Sequence, residues 1–271
     1  MPPLLRLRGV ESCYGRFVAL KNVSLVVPHG SVVALLGPNG VGKTTLLRTV
    51  SGMMKPTAGE IWFDGVRIDG SPDHAIARAG LAHIPEGRGI FPGLSVAENL
   101  QMAAMAGDGP AQLERAYGLF PVLGQRRAQQ AGTLSGGEQQ MLSLARAIVT
   151  KPRLLMVDEL SLGLAPRIVA QLFATLQDIR SEGTSILLVE QYVRYALRLA
   201  DFVVIMQKGR IAFIGESGEL QHDGRLVEAY LGGTQAATVD QNGSNAAATS
   251  DARPTRKRPG PRAASRRSSR A

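Results

Sequence analysis

The residues with the clearest chemical potential form a glycine-rich segment near the N-terminus. The segment follows the pattern G-x-x-x-x-G-K-[ST] and contains Gly37, Pro38, Asn39, Gly40, Val41, Gly42, Lys43 and Thr44, with Thr45 next. An apolar run, residues 31–36, precedes it, and a helix is predicted over residues 43–53. In such a loop between a strand and a helix, the glycines let consecutive backbone N–H groups curl around phosphate oxygens. The segment therefore predicts a nucleotide phosphate site.

Two side chains of this loop have separate expected roles. Lys43 should reach the β- and γ-phosphates of ATP, and the Thr44 hydroxyl should ligate Mg²⁺. A glycine-rich turn with an incidental lysine is the alternative, which the flanking strand and helix disfavour. The dinucleotide pattern G-x-G-x-x-G is absent from this segment, which excludes that type of site here.

Two adjacent acids follow a second apolar run. Residues 154–157 are apolar and lead into Asp158 and Glu159. Because neighbouring strand residues point to opposite sides, two acids at a strand end can serve two purposes. We expect Asp158 to hold Mg²⁺ and Glu159 to polarise the attacking water, as phosphoryl transfer to water requires. Two solvated acids at a strand end are the alternative.

A second candidate phosphate surface precedes these acids. Residues 133–140 read TLSGGEQQ, and Ser135 with Glu138 forms a capping-box pattern that opens a helix predicted over residues 139–150. The Ser135 hydroxyl and the N–H groups of Gly136 and Gly137 would also bind phosphate at a helix N-terminus. The structural and the functional interpretations are compatible.

The element pattern that positions these residues is α/β. SVVALL, RLLMVDE and TSILLVE are apolar on both faces, which predicts buried parallel strands. IWFDGVRI and FVVIMQKGRIAFIG predict hairpins that turn at Asp64-Gly65 and Lys208-Gly209. Helical patterning at about residues 92–150, broken at 107–110 and at Pro121, predicts an inserted helical subdomain.

The motif LSGGEQQ resembles the signature of the ABC ATPase family. Together with the phosphate loop it identifies a resemblance to this family that covers residues 4–232. The resemblance implies a P-loop NTPase core with an antiparallel β subdomain and the inserted helical subdomain, together forming one nucleotide-binding domain, residues 1–232. It also implies that two ATPase subunits stack head to tail. Ser135 and Gly137 would then act in trans on the γ-phosphate that the other subunit holds.

Further roles follow from the resemblance alone. Tyr14 matches the aromatic residue that stacks on adenine, with a plain strand aromatic as the alternative. Glu86 stands in the Mg²⁺-sensing loop where the family usually has Gln, and residues 161–164 match an intersubunit loop. Gln191 replaces the usual switch histidine, with a polar residue opening a helix over residues 192–199 as the alternative.

Three segments narrow the subfamily. IPEGRGIFPGLSVAENL, DELSLGLAP and VEQ are similar to an ATPase of the branched-chain amino acid importer, although Leu160 and Tyr192 depart from its usual Pro and Asn. A relative that serves urea or short amides has similar motifs. The resemblance implies transmembrane permease subunits, a second ATPase subunit or an identical copy, and indirectly a solute-binding protein. It also implies a position on the inner face of the cell membrane.

Composition and charge set the remaining expectations. No apolar run reaches the roughly 18 to 20 residues that cross a bilayer, and no signal-peptide core is present, so we expect a cytoplasmic protein. Residues 233–271 contribute +6 of the net charge of +9, which leaves +3 for residues 1–232. The composition of this basic tail predicts disorder, and we expect no specific nucleic-acid partner. The alternative is a soluble ABC ATPase that acts on nucleic acid or ribosomes.

Overall fold

The computed structural model describes residues 2–105 and 109–222. The predicted tail, residues 233–271, and residues 107 and 108 of the predicted break at 107–110 lie outside this part, whereas residues 109 and 110 belong to a helix. The division into a domain of residues 1–232 and a tail therefore stays a prediction. No helix in the described ranges has both the length and the apolar character to span a bilayer.

Ten strands form two sheets in the described part of the chain. The strands are β1 (Leu5–Tyr14), β2 (Phe17–Val27), β3 (Val32–Leu36), β4 (Ala58–Phe63), β5 (Val66–Arg67), β6 (Leu81–Ile84), β7 (Leu154–Asp158), β8 (Ser185–Val189), β9 (Phe202–Gln207) and β10 (Arg210–Glu216). One sheet has the order β2-β1-β4-β5, and its strand pairs are antiparallel. The other has the order β10-β9-β3-β8-β7-β6 and is parallel except for the pair β9–β10.

The helices connect or flank these strands. They are α1 (Lys43–Val50), α2 (Asp73–Arg78), α3 (Val96–Ala104), α4 (Gly109–Leu119), α5 (Pro121–Gln125), α6 (Gly136–Val149), α7 (Pro166–Ser181), α8 (Val193–Leu199) and α9 (Ser217–His222). Three of them differ from the predicted spans. α1 ends three residues early, α6 starts three residues early, at the first glycine after its Ser135 cap, and α8 starts at Val193.

The three strands predicted to be buried on both faces are confirmed. β3, β7 and β8 are buried at every position. Val32, Ala34 and Leu36 belong to one apolar cluster together with residues of α3, α6 and α7, whereas Val33 and Leu35 belong to a second cluster together with residues of α1 and the antiparallel sheet. The central sheet is thus covered on both sides, which explains the apolar runs.

Both predicted hairpins are present. β4 and β5 join through Asp64 and Gly65, and β9 and β10 join through Lys208 and Gly209. All four turn residues have positive φ, as a two-residue turn that matches the strand twist requires. The first hairpin completes the antiparallel sheet, and the second forms one edge of the central sheet.

Candidate nucleotide site

The phosphate loop lies between β3 and α1, at the carboxyl end of the central strand. Gly42, just before α1, has a φ of +108°, and a Cβ atom there would lie 2.9 Å from the carbonyl oxygen of Ala19. Both the backbone conformation and the close approach therefore require glycine at this position. The carbonyl of Val41 accepts a hydrogen bond from the Gly209 N–H at 3.0 Å, which fixes the loop to the β9–β10 turn.

Lys43 carries the charge of the loop and is buried, with 4% of its surface exposed. Its Nζ donates hydrogen bonds to the carbonyl oxygens of Gly37 at 2.8 Å and Pro38 at 3.0 Å. Burial lowers the pKa of Lys43, and the nearby carboxylates of Glu159 and Asp158 oppose that shift. The ammonium group is thus held inside the loop, next to acidic groups.

Most predicted site residues line one cleft of about 320 Å³. The predicted residues in its wall are Tyr14, Asn39, Gly40, Gly42, Lys43, Thr44, Thr45, Glu86 and Glu159. Phe17 and Ala19 also line it, although the sequence reasoning did not find them. The structure therefore brings the loop, the Glu86 segment and the acid after β7 to a single opening.

The two aromatic residues of the cleft belong to the β1–β2 hairpin. Tyr14 and Phe17 are direct partners in the antiparallel ladder, and both side chains are largely exposed, at 49% and 66%. The proximity of the Thr45 side chain is the main reason that the pKa of Tyr14 is lowered, with Arg48 acting in the same direction. An exposed aromatic pair beside the phosphate loop provides a flat surface for a nucleotide base.

The side chains of Asp158 and Glu159 point in different directions because of the backbone conformation at Glu159, and not because neighbouring strand residues alternate. Asp158 is the last residue of β7, but Glu159 lies beyond the strand with a φ of +51°. The premise that both acids are strand residues on opposite faces was therefore wrong. A left-handed residue turns the chain sharply, which leaves Asp158 fully buried while Glu159 faces the cleft.

The surroundings of Asp158 fit a bound cation. Both carboxylate oxygens are buried and have no hydrogen-bond partner among the described residues. Burial raises the pKa of Asp158 and the nearby Thr44 hydroxyl lowers it, while Glu159 and Glu86 raise it further. No group of three His, Cys, Asp or Glu suited to a metal occurs within the described ranges. Few protein ligands are what Mg²⁺ needs in a nucleotide site, where phosphates and water complete its shell.

Gln191 directly contacts the acid predicted to activate water. Its side-chain nitrogen donates to Glu159 Oε1 at 2.9 Å and to Asn39 Oδ1 at 3.2 Å. Gln191 thus links the end of β8 to the phosphate loop and to the residue after β7. Its alternative role, as the polar cap of α8, is not supported, because the N-cap is Tyr192 and no side chain caps that helix.

The signature residues lie at the start of α6, outside the cleft. Ser135 and Glu138 form the predicted capping box, in which each side chain binds the other residue's backbone N–H. Gly136 starts the helix, and a Cβ atom at Gly137 would lie 2.9 Å from Ile168 of α7, so packing alone favours glycine there. The cleft of this chain is lined by none of the signature residues Ser135, Gly136 and Gly137.

A buried carboxylate behind the cleft was missed. Glu190 directly precedes Gln191 and is only 1% exposed. It binds the backbone N–H and the hydroxyl of Ser161, and burial raises its pKa to about 7. The sequence gives a weak signal, because LLVE at residues 187–190 looks like an apolar strand that ends in a solvated acid. The partner, 29 positions away, becomes visible only when β7 and β8 pair.

This combination of fold and site defines an ATP-binding cassette: a strand, phosphate loop and helix, an acidic strand end, and a capped glycine-rich helix start. The family model described as ABC transporter matches residues 20–161. The chain belongs to the ABC transporter family and is one of its nucleotide-binding ATPases.

Individual relatives support the same assignment. The chain is 42% identical over 233 residues to the high-affinity branched-chain amino acid transport ATP-binding protein BraG of Pseudomonas aeruginosa, covering 85% of this chain and 100% of the relative. It is 31% identical to the lipopolysaccharide export system ATP-binding protein LptB of Acidithiobacillus ferridurans, with coverages of 86% and 98%. A solved ATP-binding subunit of an ABC transporter is 31% identical, with a TM-score of 0.73 and coverages of 82% and 94%.

Proposed function

We propose that this chain hydrolyses ATP with Mg²⁺ to drive an importer of branched-chain amino acids. The observation that carries the ATPase mechanism is the contact between Gln191 and Glu159 at the mouth of the phosphate loop. The similarity to BraG supports the substrate class.

The side chains of the cleft divide the work of phosphoryl transfer. Tyr14 supports the adenine, and the loop N–H groups and Lys43 bind the phosphates. Thr44, Asp158 and Glu86 would hold Mg²⁺, which would supply positive charge against the charge that develops on the phosphate oxygens. Glu159 polarises the attacking water, and the Gln191 amide holds the Glu159 carboxylate in position while remaining close to Asn39.

The site requires a second subunit to be complete. Ser135, Gly136 and Gly137 present a helix N-terminus that does not line this chain's own cleft. In a head-to-tail pair, the signature of each subunit would close on the nucleotide of the other. The second subunit is either a related ATPase or an identical copy. Membrane permeases that receive a solute from a binding protein would form the transport path, with this chain on the inner face of the membrane.

Transport direction and solute depend on those partners. The relatives include an export ATPase at 31% identity, but the branched-chain relative is more similar, at 42%. We therefore favour import of leucine, isoleucine and valine over export, and over import of urea or short amides. A strain that lacks this chain should lose uptake of labelled leucine and keep uptake of labelled urea. The opposite result would reassign the substrate.

The proposed role of Glu159 in polarising the attacking water is tested by the Glu159→Gln variant of the assembled transporter. The amide keeps the shape of the side chain but cannot polarise water, so we expect binding of Mg-ATP to persist while turnover falls by at least about 100-fold. Lys43→Ala should instead weaken ATP binding itself. Parental turnover in Glu159→Gln would remove Glu159 from the mechanism. Fluorescent-nucleotide titration and phosphate release measure the two quantities separately.

A further inference from the structure

Glu190 occupies an unusual position for a charged residue. It follows β8 directly, is 1% exposed, and makes no ion pair with any Lys, Arg or His in the described part of the chain. A buried carboxylate is costly unless donors surround it. Its presence therefore needs a reason beyond packing.

Three donors converge on this carboxylate. The backbone N–H of Ser161 donates to Oε1 at 3.1 Å, and the Ser161 hydroxyl donates to Oε2. The backbone N–H of Gln191 also donates to Oε2, at 3.2 Å. Ser161 is itself only 1% exposed, so this interaction is shielded from water. Shielded hydrogen bonds to a charged acceptor are among the stronger ones in proteins.

The Glu190 carboxylate makes the middle one of three links between residues 159–161 and residues 189–191. The Glu159 N–H donates to the Val189 carbonyl at 2.9 Å. Glu190 binds Ser161, and the Gln191 side chain binds Glu159. Residues 159–161 are thus tied to residues 189–191 by one backbone link, one buried link and one link in the cleft.

The residue that this arrangement holds is strained. Glu159 has a φ of +51°, in the left-handed region that a non-glycine residue occupies at a cost of about 1 kcal/mol or more. Such a conformation persists only where neighbouring contacts impose it. The link from Glu190 to Ser161 lies two residues beyond Glu159 and restrains the loop that sets this angle.

We propose that Glu190 is a positioning residue, which through Ser161 fixes the Glu159 carboxylate against the Gln191 amide for hydrolysis. Glu190 does not line the cleft. The inference rests on the role proposed above for Glu159. It predicts that loosening the buried link slows the chemical step without weakening nucleotide binding.

The test is a double-mutant cycle in the assembled transporter with Glu190→Gln, Ser161→Ala and the pair. Gln presents an N–H group where Glu190 accepts, and Ala removes the hydroxyl donor. We expect kcat to fall at least about tenfold in each single variant, with KM for ATP within about twofold of the parent. Because both changes break the same link, the loss of kcat in the double variant should not exceed the loss in the more impaired single variant.

A matched control separates positioning from general destabilisation. Ser185 is also 1% exposed, lies at the opposite end of the same strand, and accepts a hydrogen bond from the Gly30 N–H at 2.8 Å. Ser185→Ala should lower the melting temperature and leave kcat within about twofold of the parent. If Glu190→Gln unfolds, Ser161→Ala carries the test on its own.

The outcomes distinguish this inference from the proposed catalysis. Parental kcat in both single variants, multiplicative losses in the pair, or an equal kcat loss in Ser185→Ala would overturn the role of Glu190. Loss of turnover in Glu159→Gln together with parental kcat in both link variants would overturn only this inference. Parental turnover in Glu159→Gln would overturn both proposals.

Discussion

At the residue scale, the site combines two substitutions that change its charge. Glu86 places a carboxylate in the cleft near Asp158 and Glu159. Burial raises the pKa of Asp158, and Glu159 and then Glu86 raise it further. Gln191 offers a neutral amide at the position where the family resemblance predicts a switch histidine. Compared with a site that has Gln and His at these two positions, this site has more negative and less positive charge around the phosphates. This difference should increase the dependence of ATP hydrolysis on the metal.

We expect Gln191→Ala to lose at least about tenfold in turnover, equivalent to about 1.4 kcal/mol of transition-state stabilisation. The reason is the loss of the hydrogen bond that holds the Glu159 carboxylate. The measurement is the ATPase rate of the assembled transporter. Gln171→Ala, an exposed change on α7, is the control and should be neutral. A parental rate in Gln191→Ala would show that the amide is not part of the mechanism.

Glu86→Gln should stay active but shift the Mg²⁺ concentration that gives half-maximal rate. Removing one negative charge from a cleft with three nearby carboxylates weakens the attraction for a divalent cation. Titration of the rate with Mg²⁺ at fixed ATP measures this directly. Superimposable curves for the parent and the variant would place Glu86 outside the metal's surroundings.

The sequence was informative where the chemistry is local. The phosphate loop is a contiguous pattern, so its residues could be located from the sequence. Phe17 and Ala19 were missed because they reach the cleft only through the pairing of β1 with β2. The same is true of Glu190 and Ser161, which are joined by the pairing of β7 with β8. Contacts of this kind depend on strand register, which one sequence does not display.

At the element scale, turn chemistry and two-sided apolar runs predicted the strands well. Helix ends were less accurate, since the two glycines after Ser135 looked like a loop but form the first turn of α6. The conformation of Glu159 was not foreseeable from strand alternation, because a single left-handed residue ends that alternation. Leu160 is buried in the core, so hydrophobic packing accounts for an apolar residue at this position.

The parallel strand β6 carries a pH-sensitive residue. His83 is largely buried, its Nδ1 pairs with the Ser51 hydroxyl at 3.2 Å, and its Nε2 has no partner among the described residues. Burial, aided by the charge of Arg48, lowers the pKa of His83 to about 4 from an ordinary value of 6.5. The folded state thus binds fewer protons than the unfolded state between these values.

Stability that depends on neutral His83 should be present above pH 6.5 and lost as the pH falls toward 4. For the His83→Gln variant this dependence disappears. The difference in unfolding free energy between parent and variant should therefore shift by on the order of 3 kcal/mol against the parent between pH 7 and pH 4. Urea unfolding at several pH values measures it. A constant difference would show that His83 titrates normally.

At the scale of the whole molecule, charge is unevenly distributed along the chain. Residues 233–271 are basic and poor in large apolar side chains. We expect deletion of these residues to leave the ATPase rate and the melting temperature essentially unchanged, because such a composition offers little surface to bury. Calorimetry and phosphate release check both values. A drop of several degrees would contradict the expectation, and any binding to anionic vesicles should fade as salt rises.

The strand order of the central sheet also has a consequence for biosynthesis. β3, which leads into the phosphate loop, has β8 and β9 as its two neighbours, and these strands end at Val189 and Gln207. A ribosome must therefore make about 150 further residues after β3 before β3 can pair with either neighbour. Until then β3 is an apolar strand whose backbone N–H and C=O groups have no partner strand, and such a strand is prone to aggregation. Chaperone holding during synthesis, and poor solubility of N-terminal fragments, are what this order of pairing leads us to expect.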